Sequence, residues 1–203
     1  MTSTIPLTEC CTRVVLIGDT QTGKTSIINR HINSDFSKFS PPTIGASVYT
    51  QSIVEDNLNL SINFYDTTGQ EAFRSICKVY YRNTSAAIVV FDITNIKTFN
   101  NIDYWINEYY KQSDSKLLFI AANKTYLKES AAVTYEEIHE KAQKYNCEFI
   151  YTSALDGTSI EELFDNVIRK VTEIMKANIN DHIVNKKQLE LRESKTKSKC
   201  CGN

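Results

Sequence analysis

The sequence predicts an α/β protein with a mostly parallel sheet, and three observations lead to that prediction. Strand-like and helix-like segments alternate along the 203 residues, as they do in chains whose parallel strands are joined by helices. Two continuous apolar runs, 86–91 and 117–122, are typical of strands that are covered on both faces. A glycine-containing loop, 18–25, connects the first apolar run to a helix-like segment.

The elements follow from this pattern in chain order. Strands are predicted at 12–18, 46–54, 58–66, 86–92, 116–122 and 147–152. Helices are predicted at 24–33, 76–83, 98–112, 135–145 and 159–176. Because the second and third strands are separated by only a short link, we expect them to pair as a hairpin. The folded domain is then expected over 12–176, between a flexible N-terminus at 1–11 and a flexible tail at 177–203.

Composition excludes several classes of protein. The formal net charge of -1 gives no general attraction to nucleic acid, so no nucleic-acid partner is expected. No uninterrupted apolar run reaches eighteen residues, so no membrane span is predicted. The six cysteines show neither a disulfide framework nor a zinc-ligand spacing, which favours a reducing compartment.

The loop after the first strand matches the phosphate-binding pattern G-x-x-x-x-G-K-[ST]. Its residues are Gly18, Asp19, Thr20, Gln21, Thr22, Gly23, Lys24 and Thr25. The two glycines allow successive backbone N–H groups to face a phosphate at the N-terminus of the following helix. Lys24 would contact the terminal phosphates, and the Thr25 hydroxyl would be a ligand of Mg²⁺. The alternative interpretation is an ordinary glycine-rich turn.

A second stretch, Asp66-Thr67-Thr68-Gly69-Gln70, follows the third predicted strand. The Asp66 carboxylate is placed to hold Mg²⁺, the Gly69 N–H to contact a γ-phosphate, and Gln70 to orient the attacking water. Upstream of it, the polar and proline-containing segment 36–45 offers Thr43 as a second hydroxyl ligand. An Asp-initiated turn is the alternative interpretation of the second stretch.

These motifs resemble those of a small GTPase of the Ras superfamily, and most closely the Rab branch. The similarity covers residues 12–175 and the last few residues, and Val79-Tyr80-Tyr81-Arg82 and Phe91-Asp92-Ile93-Thr94 favour Rab over Ras or Rho. Thr43-Ile44-Gly45-Ala46 resembles the early-endosomal Rab subgroup. The resemblance implies a P-loop NTPase small-GTPase fold, with a six-stranded, mostly parallel sheet, one antiparallel strand and five helices. It also implies switches at 36–45 and 66–84, with Phe36 against the nucleotide base.

The base-reading motifs depart from that family. The pattern N-K-x-D is present as Asn123-Lys124-Thr125-Tyr126, so a phenol stands where a carboxylate would accept hydrogen bonds from guanine. The family's S-A-K is present as Ser153-Ala154-Leu155. We still expect the residues of both motifs to line the base site: Asn123, Lys124, Tyr126, Ser153, Ala154 and Leu155. We therefore expect nucleotide binding with weakened guanine affinity and selectivity.

The tail becomes polar and lysine-rich before its terminal Cys200-Cys201-Gly202-Asn203. A solvated, disordered terminus is the simpler interpretation. The ending also resembles the doubly geranylgeranylated Rab terminus, with Cys200 and Cys201 as lipid acceptors. Two lipid chains and nearby lysines would satisfy the requirements for stable membrane anchoring.

The sequence therefore predicts a monomeric, Mg²⁺-dependent GTPase switch in vesicle traffic. It would hydrolyse GTP slowly with Gln70 as the catalytic residue. The expected partners are GTP or GDP, an exchange factor, a GAP, a GDI or escort protein, and effectors. The expected location is the cytoplasmic face of an intracellular membrane, for which an endosome is one candidate, in exchange with the cytosol. The alternatives are a hydrolysis-impaired, membrane-tethered interaction module and, less favoured, an adenine-specific P-loop enzyme.

Overall fold

The computed structural model describes residues 8–37, 41–55, 58–70 and 77–199. Within those ranges the strands are β1 Thr8–Ile17, β2 Ala46–Glu55, β3 Leu58–Thr67, β4 Ala86–Asp92, β5 Leu118–Asn123 and β6 Glu148–Tyr151. The α-helices are α1 Lys24–Asn33, α2 Ile96–Asn100, α3 Ile102–Tyr110, α4 Tyr135–Tyr145 and α5 Ile160–Lys199. Two 3-10 helices cover Lys78–Tyr81 and Thr125–Ser130.

The strands form one sheet in the order β2-β3-β1-β4-β5-β6. The pair β2–β3 is antiparallel, and the remaining pairs are parallel. This confirms the predicted α/β fold class, with one antiparallel strand in a mostly parallel sheet. From β1 the sheet extends to β3 and β2 on one side and to β4, β5 and β6 on the other. This reversal of strand order leaves a crevice at the carboxyl end of β1.

The chain divides into two compact units, residues 1–168 and 169–203. The first unit contains the whole sheet, α1 to α4 and the start of α5. Its β4 and β5 are buried at every position, as their continuous apolar runs predicted. The aromatic core side chains include Tyr81, Phe91, Trp105 and Tyr109, each at most 1% exposed. The second unit contains the rest of α5.

Three predicted boundaries are wrong at the termini and in the middle of the chain. Strand β1 begins at Thr8 rather than at residue 12, because residues 8–11 pair with 58–61 of β3. Helix α5 continues to Lys199 rather than ending at 176, since its later residues include no proline or glycine to stop it. The predicted helix 98–112 starts earlier and is two helices. Asn95 caps the first by accepting the Lys97 N–H, and the second begins after Asn101.

The predicted helix 76–83 is represented in the described residues by the short 3-10 helix Lys78–Tyr81. It ends because Arg82 is extended and Asn83 has a left-handed backbone, with φ 56°. The Thr84 hydroxyl then donates to the Tyr81 carbonyl at 2.8 Å. The 3-10 helix Thr125–Ser130 was not predicted, and it carries Tyr126.

Candidate nucleotide-binding site

A cleft of about 440 Å³ lies at the crevice beside the carboxyl end of β1. Most of the predicted site residues line it. They are Thr20, Gln21, Gly23, Lys24, Thr25, Phe36, Thr43, Gly69, Gln70, Asn123, Lys124, Tyr126, Ala154 and Leu155. Five others are not part of this lining: Gly18, Asp19, Thr22, Asp66 and Ser153. The lining also includes Thr68, together with Ser26, Ser37, Pro41, Pro42 and Thr67, which the sequence did not single out as site residues.

The backbone of the phosphate-binding loop requires its glycines. Gly18 and Gly23 have φ of 139° and 96°, and a Cβ on Gly18 would lie 2.2 Å from the Val90 carbonyl oxygen. A Cβ on Gly23 would lie 2.3 Å from Nδ2 of Asn123. Gln21 adopts φ 62° without being glycine, a conformation that costs about 1 kcal/mol or more. The loop is therefore held in one shape by close neighbours on two strands.

Lys24 is folded back along this loop. Its Nζ donates to the carbonyl oxygens of Gly18 at 2.9 Å and Asp19 at 2.7 Å, and the residue is only 5% exposed. Burial lowers the pKa of Lys24 to about 8, against the attraction of Asp66 and Asp19. Lys24 is thus a buried cation whose charged form a bound phosphate would favour.

Three predicted magnesium ligands converge beside Lys24. The Thr25 hydroxyl donates to Oδ2 of Asp66 at 2.7 Å and lies 2.9 Å from the Thr43 hydroxyl. Thr43 also donates to Asp66 Oδ2, at 3.4 Å. Asp66 is fully buried, and its Oδ1 has no hydrogen-bond partner among the residues that the structure describes. Burial raises the pKa of the Asp66 carboxyl, so a cation there would relieve an unfavourable negative charge.

This donor set fits Mg²⁺. Two hydroxyls and a carboxylate are the hard oxygen ligands that this ion prefers, and the unpartnered Oδ1 leaves the carboxylate able to bind it or its water. Thr43 comes from the segment before β2, whereas Thr25 begins α1 and Asp66 is near the end of β3. A cation at this point would therefore join three separate parts of the first unit.

The start of the second predicted switch packs tightly on the phosphate-binding loop. A Cβ on Gly69 would lie 2.2 Å from the Asp19 carbonyl carbon and 2.3 Å from the Thr20 nitrogen, so only glycine fits. The Thr68 hydroxyl accepts the Gln70 N–H at 3.2 Å, and Thr68 is 2% exposed. Gln70 itself lines the cleft. The Thr68 side chain therefore holds the backbone from which Gln70 extends.

The opposite end of the cleft is built from the altered base motifs. Asn123 donates from Nδ2 to the Thr22 carbonyl at 2.8 Å, which ties this end to the phosphate-binding loop. Lys124 forms an ion pair with Asp92 at 2.7 Å, by Nζ to Oδ2. Burial opposes the charge of Asp92, but hydrogen bonds from Lys124 and Thr94 lower the pKa of its carboxyl overall. Tyr126 lies beside them and is 44% exposed, and no carboxylate is among the described residues that line this cleft.

Sequence reasoning missed several residues that hold the site together from elsewhere in the chain. The Asp19 carboxylate accepts hydrogen bonds from Nδ2 of Asn101 at 2.7 Å and from Nε1 of Trp105 at 2.9 Å. These two neutral donors hold the Asp19 carboxylate in place by hydrogen bonds from the segment 101–105. A carboxylate inside a phosphate-binding loop is a signal that such donors must exist, but the sequence does not say where they are.

Comparison with known proteins gives the family. A model of the Ras family matches residues 13–173, which is most of the chain. The chain belongs to the Ras family. Its relatives in that family carry Rab and Ypt names, so it is a Rab-type small GTPase and the predicted resemblance is confirmed.

Three relatives illustrate the extent of the similarity. The GTP-binding protein ypt3 of Schizosaccharomyces pombe is 37% identical over 164 residues, 80% of this chain and 77% of the relative. The Ras-related protein Rab11C of Nicotiana tabacum is 37% identical over 187 residues, 92% of this chain and 80% of the relative. The Ras-related protein RABA5c of Arabidopsis thaliana is 36% identical over 160 residues, 78% of this chain and 75% of the relative.

Two predicted features of this Ras-family chain lie outside the described residues. These are the lipid acceptors Cys200 and Cys201. Across the part of the chain that the structure describes, no helix is both long enough and apolar enough to cross a membrane.

Proposed function

We propose that this chain is a switch in vesicle traffic that binds GTP with Mg²⁺, hydrolyses it slowly to GDP and phosphate, and binds different partners in the two states. The observation that carries the proposal is that Thr25 and Thr43 meet at one oxygen of the buried Asp66 carboxylate, beside Lys24, while the other oxygen, Oδ1, has no hydrogen-bond partner among the described residues. Such a cluster is otherwise unfavourable in a protein interior, and a phosphate-bound cation explains it.

The residues of the phosphate half have separable tasks. The backbone N–H groups of 20–25 and the charge of Lys24 would hold the β- and γ-phosphates. Mg²⁺, held by Thr25, Thr43 and Asp66, would supply positive charge to the phosphate oxygens. Because Thr43 belongs to the first switch and Gly69 to the second, loss of the γ-phosphate would release both segments together.

Hydrolysis would depend on Gln70. Its backbone is held by Thr68, and its side chain would orient a water for attack on the γ-phosphate. No arginine is among the described residues that line the cleft. We therefore infer that hydrolysis is slow by itself and that a GAP supplies a cation to the transition state.

The base half supports weaker selectivity than the family pattern implies. Asn123 still connects to Thr22, and Lys124 and Ala154 line the cleft, where the Ala154 N–H would meet a base oxygen. The carboxylate that would read guanine N1 and N2 is replaced by Tyr126. We propose that guanine remains the preferred base, through Ala154, with reduced discrimination at N1 and N2.

Membrane attachment is proposed through prenylation of Cys200 and Cys201, with exchange between membrane and cytosol aided by a GDI or escort protein. An exchange factor, a GAP and effectors complete the proposed set of partners. An endosomal membrane is the proposed location, and the protein is proposed to act as a monomer. Replacing both cysteines by serine should move the protein from the membrane to the soluble fraction of prenylating cells. Unchanged sedimentation would mean that another segment is the anchor.

The main test is the nucleotide content of freshly purified protein, measured by ion-pair chromatography after denaturation. Near-equimolar GDP or GTP supports the proposal. A protein without guanine nucleotide that also fails to take up Mg²⁺-GTP would favour the interaction-module alternative.

The role of Gln70 is tested separately. Gln70→Leu should lower single-turnover hydrolysis about ten-fold or more while leaving GDP binding intact. Gln112→Leu, at a glutamine outside the cleft lining, is the matched control.

A further inference from the structure

Arg30 lies on α1, outside the cleft lining, yet it joins three segments that surround the base end of the cleft. Its Nε donates to the Ala154 carbonyl at 2.8 Å, and one terminal nitrogen donates to the Leu155 carbonyl at 2.6 Å. The other terminal nitrogen donates to the Ser34 carbonyl at 3.2 Å, at the end of α1. All three contacts are to backbone, so they fix the course of the chain rather than a side-chain rotamer.

The same guanidinium lies over Phe36. Its central carbon is 5.9 Å from the centre of the Phe36 ring, within the range of a cation–π contact. Phe36, Ala154 and Leu155 all line the cleft. One side chain therefore contacts two separate segments of the cleft lining.

We propose that Arg30 is a positioning residue for the nucleotide base, an inference that rests on the proposed function. Its bonds to the carbonyls of Ala154 and Leu155 fix the two peptide planes that follow the Ala154 N–H. That N–H is the donor proposed to meet the base oxygen at position 6. By holding Phe36 at the same time, Arg30 sets the distance between the donor and the wall on which the base stacks.

This role has particular weight in this chain. With Tyr126 in place of a carboxylate and Leu155 in place of a lysine, the Ala154 N–H is the main remaining group that distinguishes a 6-oxo from a 6-amino base. A displaced Ala154 would remove that discrimination, while the phosphate contacts of Lys24 and Thr25 would persist. Lysine cannot replace Arg30, because one ammonium on a flexible stem cannot reproduce the planar set of three donors.

The test compares wild-type full-length protein with Arg30→Lys and Arg30→Gln. Displacement of a fluorescent GDP analogue by GDP, IDP and ADP, each with Mg²⁺, gives three dissociation constants per variant. GDP and IDP both carry the 6-oxo group, so both should bind at least about ten-fold more weakly to the variants. ADP should weaken much less, by about two-fold, since its 6-amino group gains nothing from the Ala154 donor and loses only contact with a displaced Phe36. Arg169→Lys, at an exposed arginine outside the cleft lining, is the matched control.

The outcomes distinguish the positioning role of Arg30 from the proposed function of the protein. A fall in the preference for GDP and IDP over ADP, with the melting temperature of Arg30→Lys close to wild type, supports the positioning role. Equal weakening of all three nucleotides, or no weakening, overturns it, because a merely structural arginine would not change the ratio. If Arg30→Gln does not fold, Arg30→Lys decides. Failure of the wild-type protein to bind any guanine nucleotide would overturn the proposed function itself, and this inference with it.

Discussion

Restoring a carboxylate at position 126 should convert weak guanine recognition into tight recognition. Tyr126 lines the base end of the cleft and is 44% exposed, so an aspartate there would be hydrated and ionised without a large burial cost. Lys124 already pairs with Asp92 at 2.7 Å, so it is not available to neutralise the new charge. Tyr126→Asp would thus offer an acceptor carboxylate to the N1–H and 2-amino groups of guanine.

The magnitude follows from the two hydrogen bonds. A hydrogen bond to a charged group contributes about 1.5–3 kcal/mol, and the lower end applies at this partly exposed position. Two such bonds amount to about 3 kcal/mol, or roughly a hundred-fold tighter binding of GDP. IDP lacks the 2-amino group and gains only one bond, so its affinity should rise about ten-fold.

Displacement of a fluorescent GDP analogue by GDP and by IDP measures both constants. Tyr126→Asn separates the carboxylate's charge from the loss of the ring, and it should not reproduce the gain for GDP. Tyr135→Asp adds the same charge at an exposed tyrosine outside the cleft lining, and it should change neither constant. An unchanged ratio of GDP to IDP affinity in folded Tyr126→Asp would refute the argument that position 126 reads the base edge.

Three further predictions address the phosphate half and the stability of the domain. Because burial lowers the pKa of Lys24 to about 8 and phosphate favours its charged form, GDP binding above pH 8 should take up a proton and weaken up to ten-fold per pH unit. Calorimetry in buffers of different ionisation enthalpy measures that uptake. Thr25→Ala should speed GDP release and make the release rate insensitive to EDTA, which should accelerate it in the wild type. Asp103→Asn should lower the free energy of unfolding by about 1 kcal/mol at pH 7, because it removes ion pairs with Lys141 and Lys144 in a partly exposed cluster.

The loss of unfolding free energy in Asp103→Asn should depend on pH. Burial of Asp103 opposes its charge, but hydrogen bonds from two lysines and Tyr145 lower the pKa of its carboxyl from 3.8 to about 2. A lowered folded-state pKa stabilises the protein above 3.8, and this contribution is lost as the pH falls through about 2. The difference between wild type and Asp103→Asn in urea unfolding should therefore shrink between pH 4 and pH 2. A constant difference would contradict the Asp103 prediction. An absence of proton uptake on GDP binding would contradict the Lys24 prediction, and a release rate that still responds fully to EDTA in Thr25→Ala would contradict the magnesium prediction.

The phosphate half was predictable from the sequence because its chemistry is carried by short, contiguous motifs. Gly18, Gly23, Lys24 and Thr25 occupy one turn, and the close neighbours of both glycines explain why no other residue fits. Asp66 was predicted from its place near the end of a strand, and its contact with Thr25 follows from the parallel pairing of β1 with β3. Each of these inferences needed only local geometry and the known direction of parallel strands.

The parts that sequence reasoning missed depend on contacts between distant positions. Arg30 meets Ala154 across more than a hundred residues, and Trp105 meets Asp19 across more than eighty. Neither contact is marked in the sequence by a motif or by a periodic pattern of residues. The course of the chain around Tyr126 was missed for a related reason. Its 3-10 helix begins after Lys124, whose backbone is left-handed. The residue types at this position do not predict that conformation.

The two halves of the cleft imply a division between switching and base selection. The groups that would detect a γ-phosphate, Thr43, Gly69 and Gln70, are all present at the phosphate end, and Thr68 and Asp66 hold two of them through hydrogen bonds. The change at Tyr126 lies at the other end of the same cleft, where it touches none of these bonds. Affinity for the base and response to the γ-phosphate are therefore separable in this protein. We propose that the chain keeps the chemistry of a switch while its choice of purine is relaxed, with Arg30 preserving, through Ala154, the selectivity that remains.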